Sequence, residues 1–170
     1  MIRRFASLIL AAAVMSACGT GAEPTDLPRV DLIDEAVSRL GRDLEYFEVA
    51  ADASGVTLVV RLVEVAADDG ASGFGVLAEV HRFEDGTLAR ISEPVEADGA
   101  FFSGAEIDLD PSGIFDRVLE ELDAATVLDL AIQGSPDGQP VYDARVRGSR
   151  GGILLVLLGA DGRILGVQAE

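Results

Sequence analysis

The sequence predicts an α+β protein of two similar units, each one amphipathic helix followed by about four antiparallel strands, with the helices packed on the sheet. Three observations predict it. Two apolar stripes at helical spacing begin at Leu32 and Ile114, 82 residues apart. Alternating or continuous apolar runs follow both stripes, and both series of runs end around an Asp-Gly pair. Apolar residues recurring every three or four positions mark one face of a helix, whereas alternation marks a half-buried strand.

The first unit is expected over residues 30–109. Its helix begins near Asp31, with Leu32, Ile33, Ala36, Val37, Leu40 and Leu44 on one face. Phe47-Glu48-Val49 then reads as a strand before the turn Asp52-Ala-Ser-Gly55, and Val56 to Leu62 reads as the next strand. A third strand, Phe74 to Phe83, turns at Asp85-Gly86 into Thr87–Ile91. Both residues of an Asp-Gly pair tolerate positive φ, which a tight hairpin requires. Phe101 to Leu109 is expected to add a strand after Asp98-Gly99.

The second unit is expected over residues 110–170. Asp110 suits an N-cap and Pro111 the first helical position, where its missing N–H is harmless. Ile114, Phe115, Val118, Leu119 and Leu122 form the buried stripe. Either stripe would contribute roughly 10 kcal/mol of gross hydrophobic stabilisation, at about 1.5–3 kcal/mol per large side chain. Strands are expected at Leu128–Leu130, Val141–Val146, Ile153–Leu158 and Arg163–Val167, the last two joined at Asp161-Gly162.

Residues 1–17 precede these elements and have a different character. Arg3 and Arg4 lead an apolar run from Phe5 to Met15, too short for the ~20 residues of a spanning helix. A charged head, a short apolar run and small residues before a cut describe a signal peptide. Met15-Ser16-Ala17-Cys18-Gly19 resembles the lipobox of bacterial lipoproteins, with Met15 in place of the usual Leu. The resemblance implies cleavage before Cys18, diacylation of its thiol, and attachment to the cell membrane or outer membrane on the extracytoplasmic side. The alternative is an ordinary signal peptide cut after Ala22, which would discard Cys18. Residues 18–29, with Pro24 and Pro28, read as a flexible tether.

Composition narrows the function classes. After loss of residues 1–17 the chain holds 11 Arg, no Lys and 30 acidic residues, a net charge of −19. Phosphate neutralisation needs clustered cations, so nucleic acid is excluded as a partner. Adsorption to anionic headgroups is opposed too, which leaves the acyl anchor as the membrane partner. Cys18 is the only cysteine and His81 the only histidine. No intramolecular disulfide, thiolate metal site, His-rich zinc site or common nucleophile–base pair can be assembled from them. Alternation places His81 on the polar face of its strand, in a surface role. Asp108, Asp110, Ser112 and Gly113 copy the opening of an EF-hand loop, but Leu119 stands where the bidentate Glu belongs. The helix-cap reading of Asp110 is therefore preferred, and neither a metal site nor a cofactor is expected.

Helix-then-sheet units in tandem resemble the PepSY-like architecture, including that of the β-lactamase inhibitor proteins, over residues 30–170. The closing Gly159-Ala-Asp-Gly-Arg-Ile-Leu-Gly-Val167 is similar to the final hairpin of PepSY units. The resemblance implies a domain that binds or restrains another exported protein. The leading expectation is thus a lipid-anchored, non-catalytic binding module whose partner is a protein or peptide, held on a sheet face or in the groove between units. The alternative is an envelope carrier of a lipid or other apolar ligand. For that reading, Gly152 to Leu158, apolar on both faces, would line a cavity; otherwise it is a central strand buried on both sides. A third possibility, an enzyme, would need convergent carboxylates in a deep cleft.

Overall fold

The computed structural model describes residues 27–64, 75–122, 124–149 and 151–170. The expected signal peptide, Cys18, most of the tether and the 66–73 loop lie outside those residues. After a 3₁₀ turn at Val30–Leu32, the elements are α1 (Ile33–Leu40), β1 (Glu45–Asp52), β2 (Val56–Glu64), β3 (Gly75–Glu84) and β4 (Thr87–Arg90). Two short strands follow, β5 (Val95–Glu96) and β6 (Phe102–Ser103). Then come a 3₁₀ turn at Gly104–Glu106, α2 (Asp116–Glu121), β7 (Thr126–Gly134), β8 (Pro140–Arg147), β9 (Ile153–Leu158) and β10 (Ile164–Ala169).

The expectation of two helix-plus-sheet units is overturned by the strand order. All ten strands belong to one antiparallel sheet in the order β10-β9-β8-β7-β1-β2-β3-β4, with β5 on β3 and β6 on β1. The central pair, β1 with β7, joins residues from either side of the expected boundary at 109/110: Val49 faces Ile132 and Ala51 faces Leu130. A single core cluster crosses the same boundary, including Val37, Tyr46 and Leu58 with Val118, Leu130 and Val156. The physical reason is the edge. Separate sheets would leave β1 and β7 each with a row of unpaired N–H and C=O groups, and pairing them removes both edges.

The helices are minor. α1 has eight residues and α2 six. Ile33, Ala36 and Val37 bury the face of α1 in the core, but Leu44 lies beyond the helix end and is 37% exposed. On the second stripe Ile114, Phe115 and Val118 are buried, whereas Leu119 is 41% exposed and not a core residue. Asp110 does not cap α2. Its Oδ1 accepts from the Ser112 N–H and Oγ, at 3.0 and 2.6 Å, closing a turn that precedes a helix starting only at Asp116. The expected strand Phe101–Leu109 shrinks to Phe102–Ser103, because Ser103 and Glu106 form a reciprocal capping box that bends the chain into the 3₁₀ turn.

Turn chemistry sets the hairpins. Asp85 and Gly86 both take positive φ, +50° and +72°, and join β3 to β4. At Asp161-Gly162 only Gly162 does, at +75°, within a longer loop closed by Gly159 N–H to Arg163 O at 2.8 Å. Gly162 has a second reason to be glycine: a Cβ there would meet the Ile114 carbonyl oxygen at 2.8 Å. The β9–β10 loop is thereby pressed against the turn before α2.

Candidate functional site: a carboxylate trough on the open sheet face

The sheet has two faces of opposite character. Tyr46, Val49 and Ala51 of β1, Val56, Leu58 and Val60 of β2, and Leu130 and Ile132 of β7 bury one face against the helices. The intervening residues form the other, outer face, and the strand register arranges them in rows. Thr57, Ala50, Ala131, Asp143 and Leu157 lie side by side across five strands. On one side of that row run Asp52, Asp129, Arg145 and Leu155. On the other run Val59, Glu48, Gln133 and Val141. Directly opposite residues on adjacent strands have Cβ atoms about 4.5–5.5 Å apart. Ala50 and Ala131 are therefore a low floor, with Asp143, Asp129, Asp52 and Glu48 standing around it. Beside one end, the ring of Phe101 stacks against the Arg61 guanidinium, 4.2 Å from it.

Three arginines on this face are committed. Arg82 bonds Asp52 Oδ1 at 2.7 Å and Ser54, Arg145 forks onto Asp129 with Nε contacts of 2.9 and 3.1 Å, and Arg61 pairs with Glu45 beneath the ring of Phe101. Burial works to raise the Asp52 carboxyl, but the bonds from Arg82 and Ser54 outweigh it and hold the group at about 2. Glu48 and Asp143 are left over. Glu48 has only the neutral Gln133 amide, at 3.3 Å, and burial followed by repulsion from Asp129 raises its carboxyl. Asp143 lies between Ala131 and Leu157 with no hydrogen bond from a described residue. Burial first, then the charges of Glu48 and Asp129, push it up to about 6 despite Arg145. The trough thus holds two half-buried carboxylates that no arginine pairs with directly among the described residues; Arg145 is taken by Asp129 and eases their charge only from a distance.

The residues singled out from the sequence lie elsewhere. Cys18 falls outside the described residues. His81 is not on the polar face: it pairs across from Leu58 on the helix-bearing side, its side chain only 13% exposed. There its Nε2 lies 2.5 Å from Glu79 Oε1, and Glu79 also takes Arg90 at 3.3 Å. Phe83, two residues on, is wholly buried, so this face of β3 changes from core to a polar cluster along its length. Asp110 is held by its own turn and stands apart from the trough. Among the described residues, no three of His, Cys, Asp and Glu are placed to hold a metal ion.

Glu48, Asp129 and Asp143 escaped the sequence reading because acids are spread along the whole chain. A signal was nonetheless present: Glu48-Val-Ala50-Ala-Asp52 and Asp129-Leu-Ala131-Ile-Gln133 alternate polar or small residues with core residues. What the pattern lacked was the pairing of β1 with β7, which sets the two segments side by side.

A pocket of about 60 Å³ lies between α1 and the 107–111 segment, lined by Val30, Ile33, Asp34, Val37, Gly104 and Leu109 among others. It has room for a few waters, against ~300–1,000 Å³ for ligand pockets. β9 is neither central nor buried on both sides. It lies next to the edge strand β10, with Val156 and Leu158 buried on the inner face and Leu157 38% exposed on the outer. No family model, curated protein or solved structure matches the chain.

Proposed function

We propose that the chain is a lipid-anchored, extracytoplasmic binding module that takes a basic, extended segment of another exported protein or peptide along the outer trough, without catalysis. One observation carries this reading: Glu48 and Asp143 flank a floor of alanines, partly desolvated, raised on balance and with no directly paired cation among the described residues. Such carboxylates are held at a cost to stability, and that cost is recovered when an arginine or lysine enters between them. Returning Asp143 from about 6 to its ordinary 3.8 corresponds to at most about 3 kcal/mol, at 1.36 kcal/mol per unit. The small floor admits a side chain lying flat, and the excess of 30 acidic over 13 basic residues draws cationic segments from a distance.

An open sheet face favours binding over catalysis, because bulk solvent there weakens the electrostatic interactions that a closed site would concentrate on a transition state. The pocket beside α1 does not support the carrier reading, being far smaller than an acyl chain requires. The address follows from Met15-Ser16-Ala17-Cys18: two acyl chains hold a protein at a membrane stably, whereas one holds it marginally.

Two experiments test the parts separately. Metabolic labelling with a clickable fatty acid should mark the wild-type protein and not Cys18→Ser, which should leave the membrane fraction. An unlabelled wild type would remove the anchor from the account. Pull-down from cross-linked envelopes should enrich one stoichiometric basic protein with wild type, and lose it with Glu48→Gln/Asp143→Asn. Equal recovery by both would remove the trough.

A further inference from the structure

We infer that the free edge of β10 is an interface at which two copies of this chain pair antiparallel, extending the sheet from one copy into the next. β10 is the last strand of the sheet and its far edge has no strand partner among the described residues. Unpaired edges are ordinarily guarded by charge, proline, a bulge or a covering element, and of these β10 carries only the bulge after Ile164. Ile164–Ala169 contains no charged residue and no proline, and leaves Leu165 53% and Val167 50% exposed. This surface is separate from the trough and does not depend on what the trough binds.

The occupant is argued from the strand's own pattern. Ile164 faces Leu158 and Gly166 faces Leu157, so Leu165-Gly166 is a bulge of two residues opposite one. Ile164, Val167 and Ala169 share the helix-bearing face with Leu158, Val156 and Leu154. A two-fold axis through Val167, perpendicular to the sheet, keeps every pair on its proper face. Val167 then meets the second copy's Val167, and Gln168 meets the bulge. Ala169 meets Ile164, and Glu170 meets Arg163. The register that satisfies the apolar pattern therefore also closes an ion pair at each end. A basic peptide has no such match here, because the strand offers no carboxylate between Arg163 and Glu170. Repulsion between the acidic bodies is screened beyond about 8 Å at physiological salt, and the charges that bracket this strand, Arg163 and Glu170, are of opposite sign. An isologous contact of this kind closes as a dimer.

The test is sedimentation equilibrium of the detergent-purified full chain up to about 0.1 mM, a range that reaches dimers of roughly 5–6 kcal/mol. The expected result is a dimer. Arg163→Glu should weaken it about tenfold or more by setting like charges together at both ends, and Arg163→Glu/Glu170→Arg should restore it. In intact cells Val167→Cys should form a disulfide-linked dimer that wild type does not. A monomer throughout the range overturns the inference. So does a dimer that is indifferent to Arg163→Glu, or one that Val167→Cys fails to cross-link. Circular dichroism of each variant separates loss of the interface from loss of the fold.

Discussion

Asp143→Asn should make the protein more stable, and the size and pH dependence of the gain follow from the trough. The Asp143 carboxyl sits between Ala131 and Leu157 at about 6, raised from 3.8 chiefly by burial. Because the folded-state value lies above the unfolded one, the native state binds the proton more tightly. Stability therefore falls as pH rises from about 4 through about 6, and the loss is complete above that. The shift corresponds to about 3 kcal/mol at 1.36 kcal/mol per unit, and partial exposure leaves on the order of 2 kcal/mol. Asparagine keeps the shape and removes the charge. At pH 7.5 the variant should gain that amount, an increase of about 4–8 °C in Tm for a chain of this size. At pH 4, where Asp143 is already protonated, the two proteins should coincide. Urea denaturation at both values measures the difference. Equal or lower stability of Asp143→Asn at pH 7.5 would refute the reasoning, and a gain of the same size at pH 4 would show that packing, not charge, is responsible.

The opposite sign applies to Asp52, held at about 2 by Arg82 and Ser54 against burial. Asp52→Asn should lose about 1 kcal/mol at pH 7, discounted because the side chain is nearly half exposed, and only a small part of that at pH 2, since the wild type gives up the same stability as pH falls from about 4 through about 2. Burial lifts the Tyr46 phenol to about 12, and its hydroxyl donates to the Gly41 carbonyl at 2.7 Å. Tyr46→Phe should lose about 1 kcal/mol at pH 7, while in alkaline unfolding the wild type should weaken more than the variant between pH 10 and 12, the loss common to both coming from Tyr142, whose phenol burial also raises. Gly162→Ala should be more damaging than Gly86→Ala, as read from their thermal midpoints. Both meet the ~1–2 kcal/mol of left-handed backbone, but the Cβ at 162 also strikes the Ile114 carbonyl at 2.8 Å whereas 86 faces open space.

Local order was readable from the sequence and long-range order was not. Alternation located the strand around Val56–Leu62, and the Asp85-Gly86 pair located its hairpin, because both are contacts between residues close in the chain. Helix content was overestimated where a stripe looked complete. Leu44 continues the spacing of Leu40 but follows Gly41, whose φ of +149° ends the helix. Leu119 continues the spacing of Phe115 but points toward solvent. The union of β1 with β7 had no signature in either segment, since any two alternating strands are compatible until one core must be covered. The trough depends on that union twice. It sets Ala50 beside Ala131, and it brings Glu48 close enough to Asp129 and Asp143 for their charges to interact. His81 was misplaced for a related reason: its strand pairs with Leu58 in a register that turns a polar residue toward the helix-bearing side.

The most direct test of the binding trough is calorimetric titration of the full chain at pH 7.5 with an extended peptide alternating arginine and apolar residues. Wild type should bind, Glu48→Gln/Asp143→Asn should lose about tenfold or more in affinity while remaining at least as stable, and wild type should itself weaken as pH falls below about 6. Binding that is unchanged by the double substitution, or that strengthens as the carboxylates are protonated, would contradict the assignment of Glu48 and Asp143 as the residues that receive a cation.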